Sequence, residues 1–268
     1  MTGELLATVM SAARRAADTR ERATTPAEFE AAVTARQPRG REFIEALAAP
    51  GVRIIAECKR RSPSRGVLVR AYDPVAIARA YESAGAAAVS VLTESTFFDG
   101  SLDHLRSVSA GVGIPTLRKD FVVSEFQVRE ARAAGADAVL LIVAALDPSR
   151  LAALLAEAAE HGLAALVEVH DRTDLDQALG AGAMLIGVNS RNLRTLEVDR
   201  SVFDWMAPLI PDGVVAVAES GLSSADGLLR LHELRYDAFL VGERLVTAED
   251  PGRALRMLLH RSDGGRKS

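Results

Sequence analysis

From residue 53 onward, short β-rich apolar runs alternate with alanine-rich segments of helical period, and this alternation constrains the fold more than any other feature. The runs are 53–57 (RIIAE), 87–92 (AAVSVL), 115–119 (PTLRK), 138–143 (AVLLIV), 165–170 (ALVEVH), 184–189 (MLIGVN), 214–219 (VVAVAE) and 238–242 (AFLVG). Between them lie periodic segments such as 73–84, 124–134, 148–161, 171–179 and 223–231, several opened by a Ser or Asp cap. The tripeptide Ala-Gly-Ala recurs at 84–86, 134–136 and 181–183, just before a strand, as expected where a helix C-cap feeds a parallel strand. Continuous apolar strands separated by helices imply a parallel sheet covered by helices. Eight such units in about 200 residues predict an α/β fold closed into a (β/α)8 TIM barrel. A doubly wound open sheet is the alternative, and no G-x-G-x-x-G follows the first strand to support it.

The chain has 268 residues, enough for one large barrel. Residues 1–50 are helical and charged without a strand pattern, so they are expected to form an N-terminal helical extension lying across one end of the barrel. The polar residues 260–268 are expected to be a disordered tail, and all 268 residues are read as a single barrel domain. A net charge of -4 offers no basic face for nucleic acid. No apolar run approaches the roughly 20 residues that span a bilayer, and the N-terminus has no apolar signal region. The expectation is a cytoplasmic protein with a small-molecule partner, no nucleic acid and no membrane. The single cysteine, Cys58, sits in an apolar strand and reads as structural.

Residue usage narrows the search for a site. There are three lysines, Lys59, Lys119 and Lys267, against 29 arginines, and two asparagines, Asn189 and Asn192. A sequence that avoids lysine keeps it where arginine cannot serve, as a compact proton donor. Lys59 and Lys119 both end apolar segments. In a barrel, active sites sit at the C-terminal strand ends. There the first strand ends in Glu57 and Lys59, which a period of two places on one face opposite Cys58. Lys119 ends the third strand, Glu168 lies on the fifth, Asn189 ends the sixth and Glu219 the seventh. One such charge could be a rim salt bridge. Two lysines and three carboxylates at equivalent positions point to a site for general acid–base chemistry. His170 follows Glu168 on the same face and reads as a rim residue. The five histidines are scattered, with no His or Cys pair at ligand spacing, so no metal site is expected.

Small residues after the seventh strand (Ser220, Gly221, Ser223) and at the end of the eighth (Gly242, Glu243) stand where barrels bind phosphate. The loop Ser62-Pro63-Ser64-Arg65-Gly66 adds hydroxyls near Lys59. Phe97, Phe98 and Phe121 lie just beyond strand ends, where aromatics can hold a flat ring.

These segments resemble the indole-3-glycerol phosphate synthase family. The matching runs are IIAECKRRSPSRG (54–66), SVLTESTFFDGS (90–101), PTLRKDF with EFQVREARAAGADAVLLIVA (115–144), LVEVH (166–170), LIGVNSRNLRTLEVD (185–199), AESGL (218–222) and LVGERL (240–245), in family order across residues 41–250. Residues 1–40 match the family's opening helix only loosely, and Ser190 stands where a second asparagine is usual. The resemblance implies conversion of 1-(2-carboxyphenylamino)-1-deoxyribulose 5-phosphate to indole-3-glycerol phosphate, carbon dioxide and water, without cofactor or metal, in tryptophan biosynthesis. It implies Lys119 as the general acid at the ketone oxygen, Glu168 as stabiliser of the cationic intermediate and proton carrier, and Asn189 as an orienter of hydroxyls. Glu57 and Lys59 would act as a coupled pair in dehydration, and Glu219 would hold Lys119 or a substrate hydroxyl. Ser62, Ser220, Gly221 and Gly242, with Glu243 beside them, would hold phosphate. Arg191 would approach the carboxylate or glycerol end, and Phe98 and Phe121 would pack on the aromatic ring. Competing readings are a barrel like phosphoribosylanthranilate isomerase, which needs one acid and one base, and a non-catalytic sugar-phosphate-binding barrel. A monomer is expected, because the barrel completes its own core.

Overall fold

The computed structural model describes residues 3–34, 36–193 and 195–263. Its strands are β1 (Arg53–Cys58), β2 (Arg61–Ser62), β3 (Gly66–Val67), β4 (Ala88–Leu92), β5 (Thr116–Lys119), β6 (Ala138–Ile142), β7 (Ala164–Val169), β8 (Leu185–Asn189), β9 (Val215–Glu219) and β10 (Ala238–Val241). β2 and β3 form a small antiparallel hairpin; the other eight close a parallel barrel in sequence order, β1 pairing with both β4 and β10. The eight barrel strands lie within a residue or two of the eight apolar runs.

The helices are α1 (Gly3–Ala23), α2 (Pro26–Thr34), α3 (Gly40–Ala48), α4 (Pro74–Ser83), α5 (Ser95–Phe98), α6 (Leu102–Gly111), α7 (Glu125–Ala133), α8 (Pro148–Glu160), α9 (Arg172–Gly180), α10 (Ser201–Met206), α11 (Ala225–Glu233), α12 (Glu243–Val246) and α13 (Pro251–Asp263). Side chains of Asp73, Ser101, Ser124, Asp147, Asp171 and Ser224 accept first-turn N–H groups; Asp73, Ser124 and Asp171 are the residues that open the corresponding sequence segments, while Ser224 rather than Ser223 caps the last. Gly85, Gly135 and Gly182 have φ of 94°, 85° and 84°, so each Ala-Gly-Ala reverses the chain through a conformation that favours glycine.

The period-two alternation separates two apolar layers. Ile54, Ala56 and Cys58 face outward against Ala78 and Tyr81 of α4, whereas Ile55 faces inward with Leu117, Leu140, Leu166, Leu185, Val217 and Leu240. Phe43 and Leu47 of α3, both fully buried, join the inner layer together with the first residues of β4, β6, β7, β8, β9 and β10. They plug the N-terminal end of the barrel. Gly40 makes this possible, since a Cβ there would meet the backbone of Gly162, Leu163 and Ala164.

The extension, expected to lie across one end of the barrel, instead divides between one end and the flank of α7. Only α3 closes an end. α1 reaches the opposite rim, where Arg14 Nη1 donates to Val123 O at 3.2 Å, and α1 and α2 pack along α7. Arg20 holds Glu130 of α7 through two hydrogen bonds of 2.5 and 2.9 Å. A helical reading of residues 1–50 does not say where those helices dock. At the other terminus α13 continues to Asp263, past the point where the polar tail begins in sequence, and residues 264–268, with Lys267, lie outside the described residues. Among the described residues no helix is long and apolar enough to cross a membrane.

Candidate active site

A cavity of about 580 Å³ opens at the C-terminal strand ends, and Glu57, Lys59, Lys119, Glu168, Asn189 and Glu219 all line it. The register accounts for this convergence. Asn189 is level with Glu219, Glu168 with Gly187, and Lys119 with Leu92, so the charges form a ring near one height. Glycines make room for the acids: a Cβ at Gly187 would overlap Glu219 Oε1, and one at Gly242 would overlap Glu57 Oε1.

Lys119 Nζ stands 3.5 Å from Glu168 Oε2 and 3.6 Å from Glu219 Oε2, with both carboxylates almost wholly buried. Lys59 Nζ donates to Glu57 Oε1 at 2.5 Å. Burial works against the Lys119 ammonium, but Glu168, Glu219 and Glu57 outweigh it and keep the amine protonated far above neutrality. Burial pushes the Glu168 carboxyl up; Lys119 and His170 reverse this and hold it well below the usual carboxylate range. Glu57 is likewise lowered, because Lys59 and Lys119 outweigh its burial. Glu219 moves the other way. Its burial and its proximity to Glu168 and Glu57 outweigh the attraction of Lys119, so it is the carboxyl that most readily holds a proton. One cation and carboxyls of opposed proton affinity, within a few ångströms, can donate and accept protons in the same cycle.

Seven of the eight residues expected to bind substrate line the cavity: Phe98, Phe121, Arg191, Ser220, Gly221, Gly242 and Glu243. Ser62 does not. Its side chain is buried in the β2–β3 hairpin, where its hydroxyl accepts the Arg65 N–H at 3.2 Å, and Arg65 takes its place at the mouth, 3.0 Å from Glu243 Oε1. Ser220 and Gly221 have φ of 69° and 68° in succession, so both residues at this edge of the cavity adopt left-handed backbone. The Ser190 hydroxyl donates to Ser220 O at 3.1 Å and braces that turn. Arg191 is partly committed to its own loop, donating from Nη1 to Leu196 O at 2.9 Å. Phe98, Phe121, Leu140, Ile142 and Leu193 give the cavity its apolar lining, and Phe97 does not line it. Phe98 is fixed because Glu94 accepts the N–H groups of Thr96, Phe97 and Phe98.

Three features escaped the sequence reading. Arg200 and Asp120 line the cavity. Arg118, fully buried beside Lys119, points out of the barrel to Asp120 at 2.9 Å and Glu130 at 3.0 Å, and so ties the Lys119 strand to α7. A conspicuous charge next to Lys119 was the available signal, and strand alternation gives its direction. His170, read as a rim residue, has its Nε2 3.3 Å from Glu168 Oε1. Among the described residues no group of three or more His, Cys, Asp or Glu is arranged to hold a metal ion.

The family model for indole-3-glycerol phosphate synthase matches residues 6–258. The chain belongs to the indole-3-glycerol phosphate synthase family. Within that family it is 56% identical over 232 residues to the indole-3-glycerol phosphate synthase of Parafrankia sp., covering 87% of this chain and 86% of that one. It is 48% identical over 258 residues to the enzyme of the same name from Mycobacteroides abscessus, covering 96% and 94%. Among solved structures, thiamine phosphate pyrophosphorylase from Pyrococcus furiosus superposes with a TM-score of 0.61 at 16% identity, over 79% of this chain and 95% of that one, which is a likeness of fold. The family match begins inside α1, so it takes in the extension that the sequence resemblance matched only loosely. It also separates the chain from the isomerase reading.

Proposed function

We propose that the ring of Glu57, Lys59, Lys119, Glu168, Asn189 and Glu219 carries out the indole-3-glycerol phosphate synthase reaction on 1-(2-carboxyphenylamino)-1-deoxyribulose 5-phosphate. The observation that carries this reading is Lys119 Nζ held between Glu168 and Glu219 at 3.5 and 3.6 Å inside the cavity. The phosphate sits in the Ser220–Gly221 turn with the Gly242 N–H, and the benzoate ring lies in the Phe98–Phe121 slot.

The ring carbon bearing the carboxylate attacks the substrate ketone, and Lys119 protonates the oxygen as the carbon–carbon bond forms. The ring nitrogen becomes cationic, and Glu168 stabilises it. Breaking the bond to the carboxylate releases carbon dioxide and returns its electron pair to the ring, restoring aromaticity. The new hydroxyl then leaves as water with a proton supplied by the Lys59–Glu57 pair, while Glu168 accepts the proton that the five-membered ring gives up. Asn189 orients the substrate hydroxyls, and Arg191 approaches the carboxylate or glycerol end. Glu219 holds Lys119 and can return a proton to it. The driving force is rearomatisation, so the scheme calls for no cofactor. The reading takes the protein as a cytoplasmic monomer of the tryptophan pathway.

The test is indole fluorescence on adding this substrate to the protein with EDTA and no cofactor. Steady signal growth is expected. Folded protein that binds the substrate without turnover would instead fit a sugar-phosphate-binding barrel and overturn the catalytic reading.

A further inference from the structure

One titratable pair stands outside the cavity and outside the scheme above. His170 follows Glu168 by two residues at the end of β7, so both side chains leave the same face of the strand. Its Nε2 lies 3.3 Å from Glu168 Oε1 and its Nδ1 lies 3.4 Å from Asp174 Oδ2. Asp174 is itself fixed: its Oδ2 accepts the His170 backbone N–H at 3.0 Å, and its own N–H donates to Asp171 Oδ1 at 2.9 Å in the first turn of α9. Both ring nitrogens and Glu168 Oε1 are buried without a hydrogen bond of good geometry, so these contacts are ion pairs, and Glu168 lines the cavity while His170 does not. The imidazole can therefore act on substrate only through Glu168.

Each oxygen of Glu168 thus has its own cation, His170 behind at Oε1 and Lys119 in front at Oε2. We propose that His170 and Asp174 form a positioning dyad that fixes the Glu168 carboxylate, keeps Oε2 turned to the cavity and holds the group ionised for proton transfer. This rests on the reading of Glu168 as a proton carrier. Facing Glu168 are Lys119 from β5, Glu57 from β1, Asn189 from β8 and Glu219 from β9; facing His170 are Glu168 and Asp174. Burial lowers the imidazole, but the two carboxylates outweigh it and raise the group to about 10, so the dyad carries an imidazolium at neutral pH. Oriented partners behind a reacting group commonly contribute on the order of 10- to 100-fold in rate.

The experiment compares His170→Gln, which keeps a donor but not the charge, and Asp174→Asn with the parent enzyme. For His170→Gln, kcat is expected to fall about 10- to 100-fold with KM nearly unchanged. The acid limb of the kcat profile should move up by about one pH unit, because Glu168 loses a stabilising cation. Asp174→Asn should shift the limb in the same direction by less. An acid limb that stays in place in a folded His170→Gln variant overturns the proposal. A second readout does not depend on the variants' activity: the His170 ring signal, assigned by its loss in His170→Gln, should stay in the protonated position from pH 6 to 8. A titration near the ordinary imidazole value of about 6.5 would also overturn it. Glu168→Gln separates the two claims. Loss of turnover with a lowered His170 titration supports both, whereas full turnover with the same lowered titration removes the proton-carrier reading and leaves the contact itself.

Discussion

At the scale of single residues, the site is a problem of placing like charges side by side in a buried ring. Lys119 is the common counter-ion of three carboxyls, and the glycines opposite Glu57 and Glu219 decide whether those acids fit. Gly242→Ala tests this, because the added methyl must displace Glu57 and with it Lys59. A loss of at least about tenfold in kcat with a circular dichroism spectrum like the parent's is expected, and parent-like turnover would refute the role given to Gly242. The His170 charge has a consequence for stability as well. A group raised in the folded state contributes stability that is fully present below its unfolded value of 6.5 and is lost as pH rises through about 10. The melting-temperature gap between the parent and His170→Gln should therefore be widest near pH 6 and narrow steadily toward pH 10. The residues legible in the sequence were those that broke a pattern. A lysine or glutamate ending an apolar strand stands out, and in a chain with three lysines both described ones, Lys59 and Lys119, line the cavity. Arg65 and Arg200 carried no such signal, being two loop residues among the chain's 29 arginines.

At the scale of elements, strands buried on both faces read as continuous apolar runs, which is why all eight barrel strands could be placed within a residue or two. The extension was harder for a physical reason: an amphipathic helix declares that it has an apolar face, not which surface that face meets. α3 resolves this by inserting Phe43 and Leu47 into the inner layer, where they complete the floor beneath the site. Phe43→Ala should cost about 3 to 5 kcal/mol, read as a shift in urea unfolding, because it leaves a cavity in a fully buried layer. Indifference to that substitution would show α3 to be a peripheral attachment. On the outer face, the chain of Arg20, Glu130, Arg118 and Asp120 links α1 and α7 to the strand that ends in Lys119. Arg118 and Lys119 are adjacent and point to opposite faces, one to the supporting network and one to the chemistry.

At the scale of the whole molecule, the barrel divides its two ends between tasks, a floor sealed by α3 and a mouth where strands from around the ring converge. Local residue choice and global topology agree on the mouth, where apolar side chains, the Ser220–Gly221 turn and the charged ring line one cavity. In the proposed reaction an extended substrate, with an aromatic acid at one end and a phosphate at the other, presents its ketone to Lys119. The proposed reaction turns on that lysine. The most direct test is Lys119→Met in a paired measurement of substrate-analogue binding and single-turnover indole fluorescence. The expected result is binding within a few-fold of the parent and no turnover above background. Near-parental turnover by that variant would contradict the account, because no other group in the cavity has been given the proton that the ketone oxygen needs.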